Sequence, residues 1–223
     1  MKRFVIAIAV MAILSSCINI HIGNGKTCKG PVVEKNMELS GFTSIVVNCS
    51  SDLTFTQADA FSVVVTANEE VFDYIDYKVE NGVLIIGTKN GVNIRAEKYE
   101  VDITLPYVES ITLNGAADIN QKGAYVSDRD LKVQVNGAGD LNFLSIQVPG
   151  LMFSANGASD IKASGLDVQN LTVSVNGAGD AVLSGKAASA VFSVNGAGDI
   201  DARGLECDNV STHKAGVASI RLK

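Results

Sequence analysis

The sequence predicts an all-β fold, a right-handed parallel β-helix (solenoid) of about 20-residue coils with a less regular N-terminal part. The first observation is a corner phrase, Asn-Gly-Ala-x-Asp, whose asparagines are separated by steps of 22, 20, 20 and 19 residues. The second is an alternation of apolar and polar residues on both sides of each phrase, and the third is a small residue five places after each aspartate. Self-similarity at this period is the signature of stacked repeats. The five copies are Asn114–Asp118, Asn136–Asp140, Asn156–Asp160, Asn176–Asp180 and Asn195–Asp199.

Each unit reads as two short strands joined by the Asn-Gly corner. Before Asn136, the apolar residues Leu131, Val133 and Val135 alternate with polar ones, which is the period of a half-buried strand. After each aspartate the first and third residues are mostly apolar, as at Leu141 and Phe143, and they predict the second strand. A small residue then ends the unit at a second corner.

A unit of this size cannot bury its apolar side chains alone. Stacked at about 4.8 Å per coil, the strands form parallel ladders around a continuous interior. Parallel connections within a sheet are almost always right-handed, which gives the predicted hand. A β-sandwich also has short strands at similar intervals, but its turns need not resemble one another as these corners do.

The repeat extends toward both ends of the chain. Asn48–Asp52 has the same frame as the corner phrase, and Lys214–Ser219 is a decayed copy. Between residues 52 and 114 the pattern is less regular. There the sequence predicts a short helix over 69–75 capped by Asn68, and a hairpin over 77–86 with an Asn-Gly turn. This stretch is expected to cover the end of the stack or to form broader coils.

The N-terminus predicts export and lipidation. Residues 1–17 combine two basic residues, an apolar run from Phe4 to Leu14 and a small-residue segment that ends at Cys17. This pattern is typical of a signal peptide and is too short for a membrane span, although a buried N-terminal helix is the alternative. The segment before Cys17 resembles a bacterial lipobox, which implies cleavage before Cys17 and its acylation. Residues 18–33 have the composition of a linker, and the domain is predicted over 34–223.

The charge and the cysteines limit the partners. The formal charge is −6, and loss of Lys2 and Arg3 with the signal would make it −8, which is unfavourable for nucleic-acid binding. Three cysteines remain, Cys28, Cys49 and Cys207. An odd number leaves at least one of them unpaired; Cys28–Cys49 is the most favourable pair, and three reduced thiols are the alternative.

The stacked asparagines and aspartates allow a structural or a calcium-binding interpretation. Glycine permits the tight corner, and stacked asparagine amides can hydrogen-bond along the ladder. Aspartates one coil apart would repel one another unless backbone amides or bridging calcium ions held them. Calcium-binding β-roll repeats have a period of about nine residues and a different Gly-to-Asp spacing. The sequence therefore favours the structural interpretation, with no metal-binding or cofactor-binding residues.

Catalysis has little support in the sequence. The two histidines, His21 and His213, lie far apart along the chain, there is no tryptophan for sugar stacking, and no long insertion interrupts the coils. Asp128-Arg129-Asp130 is the one dense charge group, and a solvated corner accounts for it. We therefore expect no catalytic residues.

Several segments together resemble one known family. Gly41–Ile45, Asp102–Pro106 and the repeated Asn-Gly-Ala-Gly-Asp, following a lipobox, are similar to the head GIN domain family, from about residue 34 to the end. The resemblance implies an exported β-helical adhesin, often a lipoprotein of Bacteroidetes bacteria, and it transfers no catalytic or ligand residue. Residues 18–20 lack the acidic tract that directs some such lipoproteins to the cell surface, so either face of the outer membrane stays open.

The sequence therefore predicts a non-enzymatic exported lipoprotein, an adhesin or an envelope binding or structural module. It is expected to contact the membrane through a lipid on Cys17 and to bind an unknown protein or glycan. The alternative is a calcium-dependent or carbohydrate-acting β-helix protein.

Overall fold

The computed structural model describes residues 25–223, and the predicted parallel β-helix with a less regular N-terminal part is confirmed. Two short 3-10 helices, η1 (Glu69–Asp73) and η2 (Lys89–Gly91), interrupt an otherwise all-β chain. The strands are β1 (Lys26–Thr27), β2 (Val32–Asn36), β3 (Ser44–Val47), β4 (Asp52–Gln57), β5 (Ser62–Asn68), β6 (Ile75–Glu80), β7 (Val83–Thr88), β8 (Ile94–Arg95), β9 (Tyr99–Leu105), β10 (Ser110–Leu113), β11 (Ile119–Lys122), β12 (Tyr125–Val126), β13 (Leu131–Ala138), β14 (Leu141–Ala158), β15 (Ile161–Ala178) and β16 (Ala181–Arg221).

The regular part stacks the repeated phrases in register. Strands β13, β14, β15 and β16 pair in parallel, so that Asn136, Asn156, Asn176 and Asn195 lie one above another. The long strands β14 to β16 continue through the corners and form several sides of the solenoid. The sequence period and the coil period are therefore the same.

The interior consists of columns of apolar side chains, one per coil. Val135, Ala155, Val175 and Val194 form one such column, and each is at most 1% exposed. Ser174, next to Val175 in sequence, is half-buried on the outer side. The predicted alternation of inward and outward residues is thus confirmed for this strand. Because each column continues from coil to coil, the whole solenoid shares one core.

The N-terminal part does not follow chain order. The first corner phrase joins β3 and β4, but β7 and β9 pair with those two strands on the side away from β10 and β11. The chain thus builds its second coil first. Antiparallel strands then cover this end, with β6 on β7, β5 on β9 and β2 on β5. The expectation that this stretch covers the stack is confirmed.

The two local predictions in this stretch had different outcomes. The β6–β7 hairpin is present, and its turn residues Asn81 and Gly82 have φ of 51° and 76°. The predicted helix is only the 3-10 helix η1, and Asn68 does not cap it. The Asn68 side chain instead donates to the Gly30 carbonyl and accepts the N–H groups of Glu97 and Lys98, each at 3.0 Å. This amide joins three separate segments, so a long-range contact replaces the expected local one.

The structure also includes residues that the composition assigned to the linker. Strand β1 pairs with β8, and β2 begins at Val32. Cys28, between these strands, is 2% exposed and belongs to the core. The packed structure therefore begins before residue 34.

At the C-terminal end, polar residues terminate two of the apolar columns. Gly216 lies against Gly196, and the Ser219 N–H donates to Asp199, so the last coil follows the preceding one by 20 residues. By this offset Thr212 and Lys214 follow the buried Phe192 and Val194. A polar final repeat of this kind is what a solenoid needs to remain soluble.

Candidate functional site

The asparagines of the corners form a continuous amide ladder. The Nδ2 group of each asparagine donates to the Oδ1 atom of the asparagine one coil earlier, from Asn114 onto Asn48 up to Asn195 onto Asn176. The distances lie between 2.8 and 3.0 Å. This arrangement satisfies one donor and one acceptor of each interior amide, as in the asparagine ladders of cross-β structures. The predicted structural role of the asparagines is therefore confirmed.

The aspartates form a second ladder, to backbone amides. The N–H of Asp180 donates to Oδ1 of Asp160 at 2.8 Å, and the N–H of Asp199 donates to Asp180 at the same distance. Equivalent bonds join Asp118 to Asp52, Asp140 to Asp118 and Ser219 to Asp199. Hydrogen bonds to the ionised form stabilise a carboxylate, so each bond offsets repulsion along the column.

One step of the aspartate ladder differs from the others. The side chain of Asp140 faces Lys162 Nζ at 3.7 Å. Within residues 25–223, it accepts no hydrogen bond from the N–H of Asp160, the equivalent residue on the next coil. The next corner carries Ser159 where three other copies have glycine. Ser159 is 3% exposed, and its Oγ has no partner among residues 25–223. The larger residue accompanies the local loss of the regular bond.

Close stacking explains the glycines of the corner. A Cβ atom added to Gly137 would lie 1.8 Å from the Gly115 carbonyl oxygen, and one added to Gly157 would lie 2.0 Å from that of Gly137. A Cβ at Gly139 would lie 1.8 Å from the Ala117 carbonyl oxygen. A Cβ atom at any of these three glycines would therefore clash with the neighbouring coil, whereas two other copies of the phrase carry Ala117 and Ser159 at the place of Gly139. The phrase thus supplies a tight corner, an amide ladder and a carboxylate ladder.

The described residues offer no centre for metal binding. Within residues 25–223, no three His, Cys, Asp or Glu side chains lie close enough together to hold an ion. Five corner carboxylates accept a backbone N–H group, and the sixth, Asp140, faces Lys162.

The dense charge group has a packing role. The Arg129 guanidinium pairs with Glu109 at 2.7 Å and lies over the Tyr107 ring at 4.4 Å. Hydrogen bonds from Thr43 and Arg129 lower the pKa of Glu109. Asp128, Arg129 and Asp130 are all exposed, which agrees with the predicted solvated corner, and Arg129 in addition contacts Glu109 and Tyr107. His213 lies exposed on the last coil.

The first corner contains a buried polar cluster that the sequence did not predict. Tyr77 and Tyr99 share a 2.9 Å hydrogen bond between their hydroxyl groups, and Cys49 Sγ lies 3.5 Å from the Tyr99 hydroxyl and 3.4 Å from Ser51 Oγ. Burial raises the pKa of Cys49 and of both tyrosines. The outermost coil has no corner phrase, and the two tyrosines occupy the space beside Cys49 and Ser51.

The three cysteines of the described chain are free thiols. The sequence left this outcome open beside a Cys28–Cys49 pair. Burial raises the pKa of Cys28, which favours its neutral form. The predicted lipidation residue, Cys17, and His21 lie outside the described residues.

A groove lined by both polar and apolar residues follows one side of the solenoid, and we call it the lateral groove. Its first wall is an outward column of Gln147, Asp167, Lys186 and Glu206, one residue per coil, with a 3.9 Å contact between Lys186 and Glu206. The residues two places further along the chain, Pro149, Gln169, Ala188 and Asp208, also line the groove, and the buried Val148, Val168 and Ala187 lie between the two rows in sequence. The further lining residues are Val126, Ser127, Asp128 and Cys207.

The lateral groove presents hydrogen-bonding groups at the spacing of the coils, about 4.8 Å. Amide, carboxylate and ammonium groups alternate along it, and Asp167 and Gln169 border both of its halves. The sequence did not predict this groove, because the repeat was recognised from its inward-facing residues and its corners. The outward residues six or seven places after each corner aspartate, compared between coils, would have revealed the column.

Comparison with known protein families shows which family the chain belongs to. The profile described as putative auto-transporter adhesin, head GIN domain, matches residues 41–223. The chain belongs to the head GIN domain family. This membership associates it with adhesin-like proteins of the cell envelope or surface, and the family description names no enzymatic activity.

Solved structures share the fold of this head GIN protein. A putative adhesin from Bacteroides fragilis is 18% identical, with a TM-score of 0.72, covering 89% of this chain and 100% of that one. A putative adhesin from Parabacteroides distasonis is 21% identical, with a TM-score of 0.74, covering 88% and 85%. A putative lipid binding protein from the same species is 20% identical, with a TM-score of 0.73, covering 88% and 100%. No functionally curated protein matches the chain.

The described residues contain no helix that is long and apolar enough to span a membrane.

Proposed function

We propose that this head GIN protein is an exported lipoprotein, anchored to the outer membrane through an acylated Cys17, that binds an extended ligand in its lateral groove without catalysing a reaction. The family relationship supports an adhesive or binding role, and the segment before Cys17 supports the anchor. Because β1 already begins at Lys26, only the residues from 18 to 25 would connect the lipid to the packed structure.

The observation that carries the binding role is the lateral groove. Its outward column places one polar side chain on each coil, so hydrogen-bonding groups of differing charge recur at regular intervals along the solenoid axis. A ligand that follows this axis would meet an equivalent position at each coil. This geometry suits an extended chain with polar groups along its length, either a glycan or a polypeptide. The acidic excess, with Lys186 as the basic residue of the column, disfavours a polyanionic chain.

Binding can be tested with the soluble domain on an array of purified bacterial and mucin glycans and extended peptides. The double variant Asp167→Ala/Gln169→Ala should lose at least about tenfold in affinity, which corresponds to loss of two or more net hydrogen bonds. The matched control Asp102→Ala/Gln134→Ala removes the same side-chain types outside the groove and should bind normally. Equal binding by the two double variants would place the ligand elsewhere, and no binding by the wild type to any probe would contradict the proposal.

The anchor has a separate test. Cys17→Ala should abolish acyl labelling, because alanine has no thiol to acylate. Without the acyl chains that anchor it, the protein should leave the membrane fraction. A variant that stays in the membrane after a salt wash would contradict lipidation at Cys17. Protease treatment of intact cells then distinguishes the surface, where the domain is digested, from the periplasm, where it is protected.

A further inference from the structure

The Asn-Gly pairs of this chain occur in two structural environments. The sequence Asn-Gly occurs seven times between residues 25 and 223. Two copies lie in exposed turns of the N-terminal part, at Asn81 and Asn90, and five lie in the stacked corners, at Asn114, Asn136, Asn156, Asn176 and Asn195. We propose that Asn81 and Asn90 are sites of spontaneous deamidation, and that the stacked amides protect the five corner asparagines from the same reaction.

The reaction requires movement of the backbone next to asparagine. The backbone nitrogen of the following glycine loses its proton and bonds to Cγ, and the side-chain nitrogen leaves as ammonia. Water then opens the resulting cyclic imide at either carbonyl, which gives aspartate or isoaspartate. Glycine favours the first step because it has no side chain to hinder the approach. The reaction consumes one water, releases one ammonia and needs no enzyme.

The corner geometry opposes each part of this reaction. In an interior corner such as Asn156, the side-chain nitrogen donates to Asn136 at 3.0 Å, and Oδ1 accepts from Asn176 at 2.9 Å. The following Gly157 is paired between Gly137 and Gly177 within the parallel ladder. Rotation of the backbone toward Cγ would break these bonds and would press against coils that already touch closely. Cyclisation therefore requires local opening of the solenoid.

The turn asparagines lack this protection. Asn81 and Asn90 are exposed, have φ of 51° and 54°, and make no side-chain hydrogen bond within residues 25–223. A Cβ atom added to Gly82 or Gly91 would have no neighbour within 4 Å, so the space around each turn is open. Local rotation here disturbs only one hairpin turn or one 3-10 turn. Deamidation would add negative charge to the N-terminal part while the stacked corners remained intact.

Peptide mapping by mass spectrometry tests the proposal within one molecule. The purified domain is incubated at mildly alkaline pH for several weeks, folded and in urea, and each Asn-Gly pair is followed by its mass gain. In the folded protein, Asn81 and Asn90 should react more than about tenfold faster than Asn136, Asn156 and Asn176, because the corners must open before they can react. Each tenfold difference in rate corresponds to about 1.4 kcal/mol of opening free energy. In urea the rates should become similar. Similar rates in the folded protein, or an undiminished difference in urea, would overturn the proposal.

A variant isolates the contribution of the side-chain bonds. Asn195→Ala removes the donor to Asn176 at the end of the ladder and leaves the interior corners unchanged. Deamidation of Asn176 should rise at least threefold, while that of Asn136 should not change. An unchanged rate at Asn176 in a folded variant would show that the stacked amides do not protect.

Discussion

The two ends of this solenoid are closed in different ways. At the N-terminal end, antiparallel strands β2, β5 and β6 cover the outermost coil, and large residues such as Phe42 are fully buried beneath loops and strands. At the C-terminal end the last coil is itself the boundary, with Thr212 and Lys214 at the ends of apolar columns. The first solution adds a layer of structure, whereas the second changes only the residues of one repeat. A solenoid end therefore needs either a cover or a polar final coil.

The largest expected effect is on the free energy of unfolding. It compares a valine-to-aspartate substitution in the interior with the same substitution at the C-terminal end. Val175→Asp would bury an unpaired charge in the middle of a column and should cost several kcal/mol or prevent folding. Val217→Asp, at a residue that is 86% exposed, should change stability by less than about 0.5 kcal/mol. Urea unfolding measures both. Ser174→Asp serves as the register control, and a cost equal to that of Val175→Asp would contradict the assigned strand faces.

Truncation of one apolar side chain at each end of the solenoid compares how strongly the two ends are packed. Phe42→Ala should cost about 3–5 kcal/mol, because Phe42 is fully buried and packs on Phe61 at 5.1 Å between ring centroids. Leu222→Ala should cost far less, since this side chain is 43% exposed in the last coil. The midpoints of thermal or urea unfolding check both values. Equal losses would mean that the C-terminal end is covered as fully as the N-terminal one.

The polar closure of the C-terminal end can be removed with one change. Lys214→Val would extend the buried Val194 column to the surface and remove a charge that opposes edge pairing. The variant should self-associate, measured as a concentration-dependent rise in mass by light scattering. Lys78→Val on the edge strand β6 is the control, because its neighbours Asp76 and Glu80 keep that edge charged. A monomeric Lys214→Val protein would show that Lys214 does not protect the end.

Acid should weaken the C-terminal end by a smaller amount. Hydrogen bonds from Arg203 lower the pKa of Asp201 to about 2, and Ser219 lowers the pKa of Asp199. A lowered pKa in the folded state means that the stabilisation is complete above the unfolded value, about 3.9, and is lost as the pH falls toward 2. Asp201→Asn should therefore have a flatter dependence of melting temperature on pH in this window. An identical dependence in the variant would exclude a contribution from Asp201.

The sequence predicted those features that depend on repetition. The phrase Asn-Gly-Ala-x-Asp fixed the register, and alternation at Leu131–Val135 identified the inward face, because each coil repeats the same local constraints. Features set by contacts between distant segments were not predictable in this way. The insertion of the β3–β4 coil between β7–β9 and β10–β11, the linking role of Asn68 and the Tyr77–Tyr99 pair all depend on pairing between residues far apart in sequence. The lateral groove was missed for another reason, since outward residues are free to vary in polarity.

The central claim is that the repeated corners hold the coils together through amide and carboxylate ladders without a metal ion. A thermal melt of the purified domain in chelator, repeated with a few millimolar calcium, tests it most directly. An ion that bound only the folded state would raise the melting temperature by mass action. The ladders predict the same melting temperature in both conditions, and a loss of only about 1 kcal/mol for Asp160→Asn. A rise of several degrees with calcium that Asp160→Asn abolished would contradict the structural role of the corners and make the aspartate column a metal site.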